Sequence, residues 1–123
     1  MPAGNFEAAA LVRVDKLYQI EYFTHMATIV RTVEFADWLD GFKDRLARAR
    51  LIRRLEKAER GILGDVKSVG ENVWEMREFF GPGWRMYYTW RGNALIVMLG
   101  GGNKSTQSAD IARVIKLAAT LED

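Results

Sequence analysis

Val73-Trp-Glu-Met-Arg-Glu-Phe79 and Trp84-Arg-Met-Tyr-Tyr-Thr-Trp90, joined through Gly81-Pro-Gly83, decide how this chain folds. Side chains in both runs alternate with a period of two, the repeat of a strand covered on at least one face. Trp74 and Met76 take one face of the first run, and Glu75 and Arg77 take the other. In the second run Trp84, Met86, Tyr88 and Trp90 share a face, opposite Arg85, Tyr87 and Thr89. Glycines on both sides of a proline mark a turn, so the segment is predicted to be an antiparallel hairpin.

Downstream, Gly92-Asn93 marks another turn, and Ala94–Leu99 is apolar on both faces, as suits a central strand. Gly100-Gly-Gly102 is expected to break the strand pattern, and Thr106–Leu121 reads as a closing helix. Upstream, Thr32 can cap a helix carrying Phe35, Trp38, Leu39 and Phe42, which Gly41 ends or bends. Asp44 caps a second helix, Arg45–Arg60, with Gly61 just past its end. Leu51, Ile52, Leu55 and Ala58 form its buried stripe and leave its arginines outward, and the two helices form a hairpin. Gly61–Gly70 is read as a loop, and Ala27-Thr-Ile-Val-Arg-Thr32 as a short first strand. The order is β-α-α-β-β-β-α. This is an α+β domain, with the helical hairpin and the C-terminal helix on one face of a mainly antiparallel sheet. The other face would display Arg77, Arg85 and Tyr87.

A chain of 123 residues fits one domain, and 49% apolar residues suffice for a core. Residues 26–123 are read as that domain and 1–25 as an N-terminal extension, whose Val12/Val14 and Tyr18/Ile20/Tyr22 alternation could add an edge strand. The chain has no cysteine, and its one histidine is His25, read as incidental, so disulfides, thiolate sites and His-pair metal sites are not expected. No metal or other cofactor is implied. The longest apolar run, Ala94–Leu99, is too short to span a membrane, and the first residues lack a basic region ahead of the Ala8–Val12 stretch. A cytoplasmic protein without a membrane partner is expected.

The net charge of +2 conceals a local concentration. Lys43, Arg45, Arg48, Arg50, Arg53, Arg54, Lys57 and Arg60 face only Asp44, Glu56 and Glu59 across the second helix. Such a face is either simply solvated or attracts phosphate or an acidic partner. Arg77 and Arg85 fall on neighbouring strands, where their forks either grip phosphate or pair with Glu75 and Glu78. Gly100-Gly-Gly-Asn-Lys-Ser-Thr106 lies between strand and helix but lacks the glycine directly before Lys-Ser of a nucleotide-binding P-loop. Lys104 is left either as a contact for one phosphate or as part of an ordinary helix start. Lys67 is a lone lysine before the hairpin. Tyr88 reads as core, and Tyr87 as able to stack on a base or bond a phosphate.

Taken together, Thr32-Val-Glu-Phe-Ala-Asp-Trp-Leu-Asp-Gly41, Gly64-Asp-Val-Lys-Ser-Val-Gly70, Trp74-Glu-Met-Arg77, Gly81-Pro-Gly-Trp-Arg-Met-Tyr87 and Gly100-Gly-Gly-Asn-Lys-Ser-Thr-Gln107, continued by Asp110-Ile111, resemble the HigB-like addiction module killer branch of the RelE/ParE toxins. The resemblance runs from about Met26 to the C-terminus. It implies the toxin of a type II toxin–antitoxin system, held by a cognate antitoxin, usually of helix-turn-helix type, and touching DNA only through that complex. It further implies a ribosome-dependent endoribonuclease that cuts mRNA by attack of the ribose 2′-OH, without a metal, and halts translation. By position Arg77, Arg85 and Lys104 would hold the scissile phosphate, with Tyr87 or Glu75 in proton transfer or stacking. Lys67, Arg45, Arg48, Arg53 and Arg54 would grip RNA. Glu75 stands where RelE-like enzymes often carry a second basic residue, Ile111 where they carry a tyrosine, and HigB histidines are missing, so the general base is open between Tyr87, Glu75 and the ribosome. Two alternatives share the fold. One is a ParE-like, non-enzymatic gyrase inhibitor, and the other a degenerate toxin that acts only in its antitoxin complex.

Overall fold

The computed structural model describes residues 26–121 together with the strands Leu11–Val14 (β1) and Leu17–Ile20 (β2). His25, Tyr22 and the Ala8–Ala10 stretch lie outside the described residues. β1 and β2 pair antiparallel with each other in a sheet of their own, so the expected addition of an edge strand to the main sheet is not found.

The main sheet has five strands: β3 (Thr28–Arg31), β4 (Val66–Gly70), β5 (Val73–Arg77), β6 (Trp84–Arg91) and β7 (Leu95–Asn103). They lie in the order β3-β7-β6-β5-β4, with β3 parallel to β7 and every other pair antiparallel. β4 corrects the reading of Gly61–Gly70 as loop. It is short and bulged at its end, and the burial of only two of its residues gives a weak pattern.

The helical hairpin forms where the caps put it. Thr32 Oγ1 accepts from Phe35 N at 3.1 Å and starts α1 (Val33–Asp40), and Gly41 ends it. Asp44 Oδ1 accepts from Leu46 N and Ala47 N, both at 3.1 Å, and starts α2 (Arg45–Glu59). Gly61 then turns the chain out at φ 88°, a conformation that suits glycine. α1 and α2 bury Phe35, Leu39, Leu51, Leu55 and Ala58 against Met76, Met86, Tyr88, Ile96 and Met98 of the sheet.

The opposite face is not open. α3 (Gln107–Thr120) lies across it and packs Val114 against Val73, Tyr87, Val97 and Leu99. The helices therefore occupy both faces of the sheet. The glycine run makes this possible. It does not break β7, which continues through Gly100–Gly102 to Asn103. A side chain at Gly100 would press on Val114, at Gly101 on the Trp38 indole, and at Gly102 on the Asp110 carboxylate, so both helical layers settle directly onto the strand. A bulge opposite Tyr87/Tyr88 leaves Leu99 and Gly100 together on the α3 face.

Burial pushes the Tyr88 phenol up from 10.0 to about 12, with Arg54 partly offsetting, and burial pushes Tyr87 up as well. The folded state holds these protons more tightly than the unfolded chain. The contribution of Tyr88 to stability is whole below about pH 10 and is lost as pH rises through 12, and that of Tyr87 is lost only at higher pH still. Tyr88 alone accounts for about 2–3 kcal/mol at roughly 1.4 kcal/mol per unit. The urea midpoint should hence fall steeply above pH 10, less so in Tyr88→Phe, and a midpoint flat to pH 12 would sink this account.

Candidate functional site

The α3 face of the hairpin gathers the polar residues that alternation sets apart. Glu75 stands opposite Tyr87, and Arg77 opposite Arg85, across β5 and β6, while Lys67 on β4 stands opposite Glu75. Asn103 closes the cluster from above. Its Oδ1 accepts from Ser105 N at 2.9 Å and Thr106 N at 3.2 Å, and Thr106 Oγ1 accepts from Asn103 N at 3.1 Å, which makes a capping box. The tight turn Lys104–Thr106 then leads into α3 and sets Gln107 over the sheet, where Gln107 Nε2 donates to Glu75 Oε2 at 2.7 Å.

Glu75 is fully buried, and its other oxygen lies 3.8 Å from Arg85 Nε, an ion pair beyond hydrogen-bond reach. Arg85 is held instead through Nη1, which donates to Glu78 O and Gly83 O, each at 3.1 Å. Among the described residues the Tyr87 hydroxyl is buried beside the Glu75 carboxylate, and Glu75 Oε1 and Arg85 Nε are buried with no hydrogen-bond partner. Such groups are rare, at a cost of about 1–3 kcal/mol each, so this cluster is held by the packing around it. Burial first, and the Glu75 charge second, raise the Tyr87 phenol far above 10.0, so it is a neutral donor at physiological pH.

The structure thus brings Glu75, Arg85 and Tyr87 together but buries them, Glu75 and Tyr87 beneath α3 and Arg85 against the Gly83 turn, correcting the expectation that Arg85 and Tyr87 stand on an open face. Tyr87 has no exposed surface with which to stack on a base. Arg77 is half-buried and pairs through two nitrogens with Asp65, each at 3.2 Å, rather than with Glu75 or Glu78. Lys104 is exposed and lines, with Arg85, Glu78 and the Gly81–Gly83 turn, an open cavity of about 290 Å³.

The cationic helix divides likewise. Arg45, Arg53 and Lys67 are exposed, as is Lys57. Arg48 donates to Asp40 Oδ1 at 2.9 Å and to Leu39 O at 3.2 Å. Arg54 is not outward at all. It donates to Leu63 O at 3.0 Å, Arg77 O at 2.9 Å, Asp65 O at 2.8 Å and the Glu78 carboxylate. Its place was visible in the spacing, since Ala47, Leu51, Arg54 and Ala58 fall at i, i+4, i+7 and i+11 on one stripe. Gln107, three and seven residues before Asp110 and Val114, follows the same rule on α3. Sequence reasoning also passed over Phe79, the most exposed large apolar side chain of the described residues at 75%. Among these residues no group of three or more His, Cys, Asp or Glu side chains could hold a metal ion, and no helix is long and apolar enough to cross a membrane.

A mixed five-stranded sheet with a helical hairpin on one face and a C-terminal helix on the other is compatible with the compact RelE-like class of domain. Residues 37–121 match the family described as phage-derived protein Gp49-like (DUF891). An uncharacterized protein of Haemophilus influenzae is 37% identical over 93 residues, covering 76% of this chain and 94% of that relative. The chain belongs to the Gp49-like family, a RelE-like family of addiction-module toxins.

Proposed function

We propose that this chain is a toxin of the HigB-like kind that arrests translation as a ribosome-dependent, metal-independent endoribonuclease. The observation that carries the reading is that Arg85 and Lys104 line one cavity beside the Gly81–Gly83 turn. In the proposed step the 2′-oxygen loses its proton and bonds to the adjacent phosphorus. The bond to the 5′-oxygen breaks, that oxygen gains a proton, and a 2′,3′-cyclic phosphate is left. Negative charge grows on the phosphoryl oxygens, where Lys104 and Arg85 would stabilise it. Glu75 bears on Arg85 through its charge at 3.8 Å while the Glu78 and Gly83 carbonyls hold the guanidinium, Tyr87 stays buried as a neutral phenol, and the base is supplied on the ribosome. Arg45, Arg53 and Lys67 hold RNA, Arg48 and Arg77 only after leaving their carboxylates, and Arg54 is structural. An antitoxin, of the helix-turn-helix type usual for the resembling toxins, is the partner that restrains the toxin.

The test is induction followed by primer extension across translated transcripts. The wild-type chain should produce discrete cuts within codons, and Lys104→Ala should reduce them about tenfold or more while leaving the fold intact. A chain begun at Met26 should arrest growth like the full chain, since Ala27 N already donates to Glu59 O at 2.9 Å and ties the domain's start to α2. Full cutting by Lys104→Ala would remove the site. The closure of Glu75 and Tyr87 under α3 favours a second reading, a toxin that blocks by binding alone. Growth arrest with uncut transcripts would establish it, and DNA damage would mark gyrase as its target.

A further inference from the structure

We infer that the Glu78–Gly83 loop presents Phe79 as a stacking platform for an unpaired nucleobase, next to two cationic cavities, joined at Glu78, that take the neighbouring phosphates of single-stranded RNA. The inference rests on the reading above and names a subsite for its substrate.

The loop is fixed from several directions. Arg85 Nη1 donates to the carbonyls of Glu78 and Gly83, and Gly83 N donates to Phe80 O at 3.1 Å, closing the turn. Phe80 turns inward against the core, with the Arg50 guanidinium 4.0 Å from its ring centroid. Phe79, its neighbour, turns outward. One exposed apolar residue is ordinary on a protein surface. What sets this one apart is its surroundings.

Phe79 itself lines the cavity that holds Lys104 and Arg85. A second cavity of about 260 Å³ is lined by Arg50, Arg53, Arg54 and Lys57. The two meet at Glu78, whose carboxylate is taken up by Arg54. Its negative charge is thereby balanced, and both cavities keep cationic side chains in their lining. A basic track interrupted by an aromatic face is the arrangement that binds single strands with little sequence preference. Because the loop is already tied down, little ordering is needed when a base lands on Phe79.

The experiment measures binding of a fluorescein-labelled ten-nucleotide single-stranded RNA of mixed sequence by anisotropy, with growth arrest and transcript cutting followed for the same variants. Phe79→Ala should weaken binding about tenfold, with an unchanged salt slope, because no phosphate contact is lost. Phe79→Trp should bind like the wild type, and Phe79→Leu should remain weak, since it keeps apolar area but no ring. Lys57→Ala should lower the salt slope by about one. Equal binding by Phe79→Ala, or full rescue by leucine, overturns the inference, while intact cutting by those variants leaves the endoribonuclease reading standing. Ring-dependent binding without any transcript cutting by the wild type upholds the platform and removes the nuclease. Loss of antitoxin capture by Phe79→Ala with RNA binding unchanged assigns the surface to the antitoxin and overturns the inference.

Discussion

Replacing Arg54 with alanine is expected to lower the free energy of unfolding by about 3–5 kcal/mol, the cost of removing one partner from a buried ion pair. The Arg54 side chain is 11% exposed and that of Glu78 20%, so solvent screens the pair little. Without the guanidinium, the Glu78 carboxylate and the carbonyls of Leu63, Asp65 and Arg77 lose a donor together. Lysine should recover less than half of the loss, because one ammonium cannot span acceptors that a planar fork reaches in several directions. Urea unfolding of the three proteins checks this, and a loss below about 1 kcal/mol in the alanine variant would refute it. Freed from Arg54, Glu78 would also place negative charge between the two cationic cavities, so RNA binding should weaken in the fraction that stays folded.

Arg54 could be placed from the spacing of α2, but the sheet face beneath α3 marks where sequence stops being sufficient. The caps at Thr32 and Asp44, the stripe of α2 and the alternation of β5 and β6 were legible because each is set by spacing within one segment. The same alternation correctly put Glu75, Arg77, Arg85 and Tyr87 on one side of the hairpin. It could not say that a helix lies over them. Polar side chains read as solvated, yet Glu75 is closed off from water beneath α3, where Gln107 replaces part of it, and Arg85 is buried against the Glu78 and Gly83 carbonyls. β4 was missed because only two of its five residues are even half-buried, and a one-sided edge strand carries little pattern. The Gly100–Gly102 run was misread for a related reason. Glycine is a breaker by local propensity, but here two packed layers select it for its missing side chain.

That selection predicts a large effect from one methyl group. Gly101→Ala would place a Cβ about 2.5 Å from the Trp38 indole, well inside contact distance. The indole is partly buried and hemmed by three other rings. It packs edge-on to Phe42 at 4.8 Å and to Trp84 at 6.2 Å, and tilts against Phe35 at 5.8 Å. Gly101 sits on the interior strand β7 opposite Met86, so the backbone cannot yield without disturbing its pairing with β6. The substitution should therefore reach the upper end of overpacking costs, about 3 kcal/mol, seen as a lower urea midpoint. Trp38→Leu alone should also destabilise, by leaving a cavity. In the double variant the leucine makes room for the methyl group, so the combined loss should fall short of the sum by at least about 1 kcal/mol. Strict additivity would mean that something other than Trp38 excludes a side chain at Gly101. A double-mutant shortfall would confirm that α1 is seated by the glycine strand itself, as α3 is on the opposite face at Gly100 and Gly102, where its depth decides how tightly Glu75 and Tyr87 are closed.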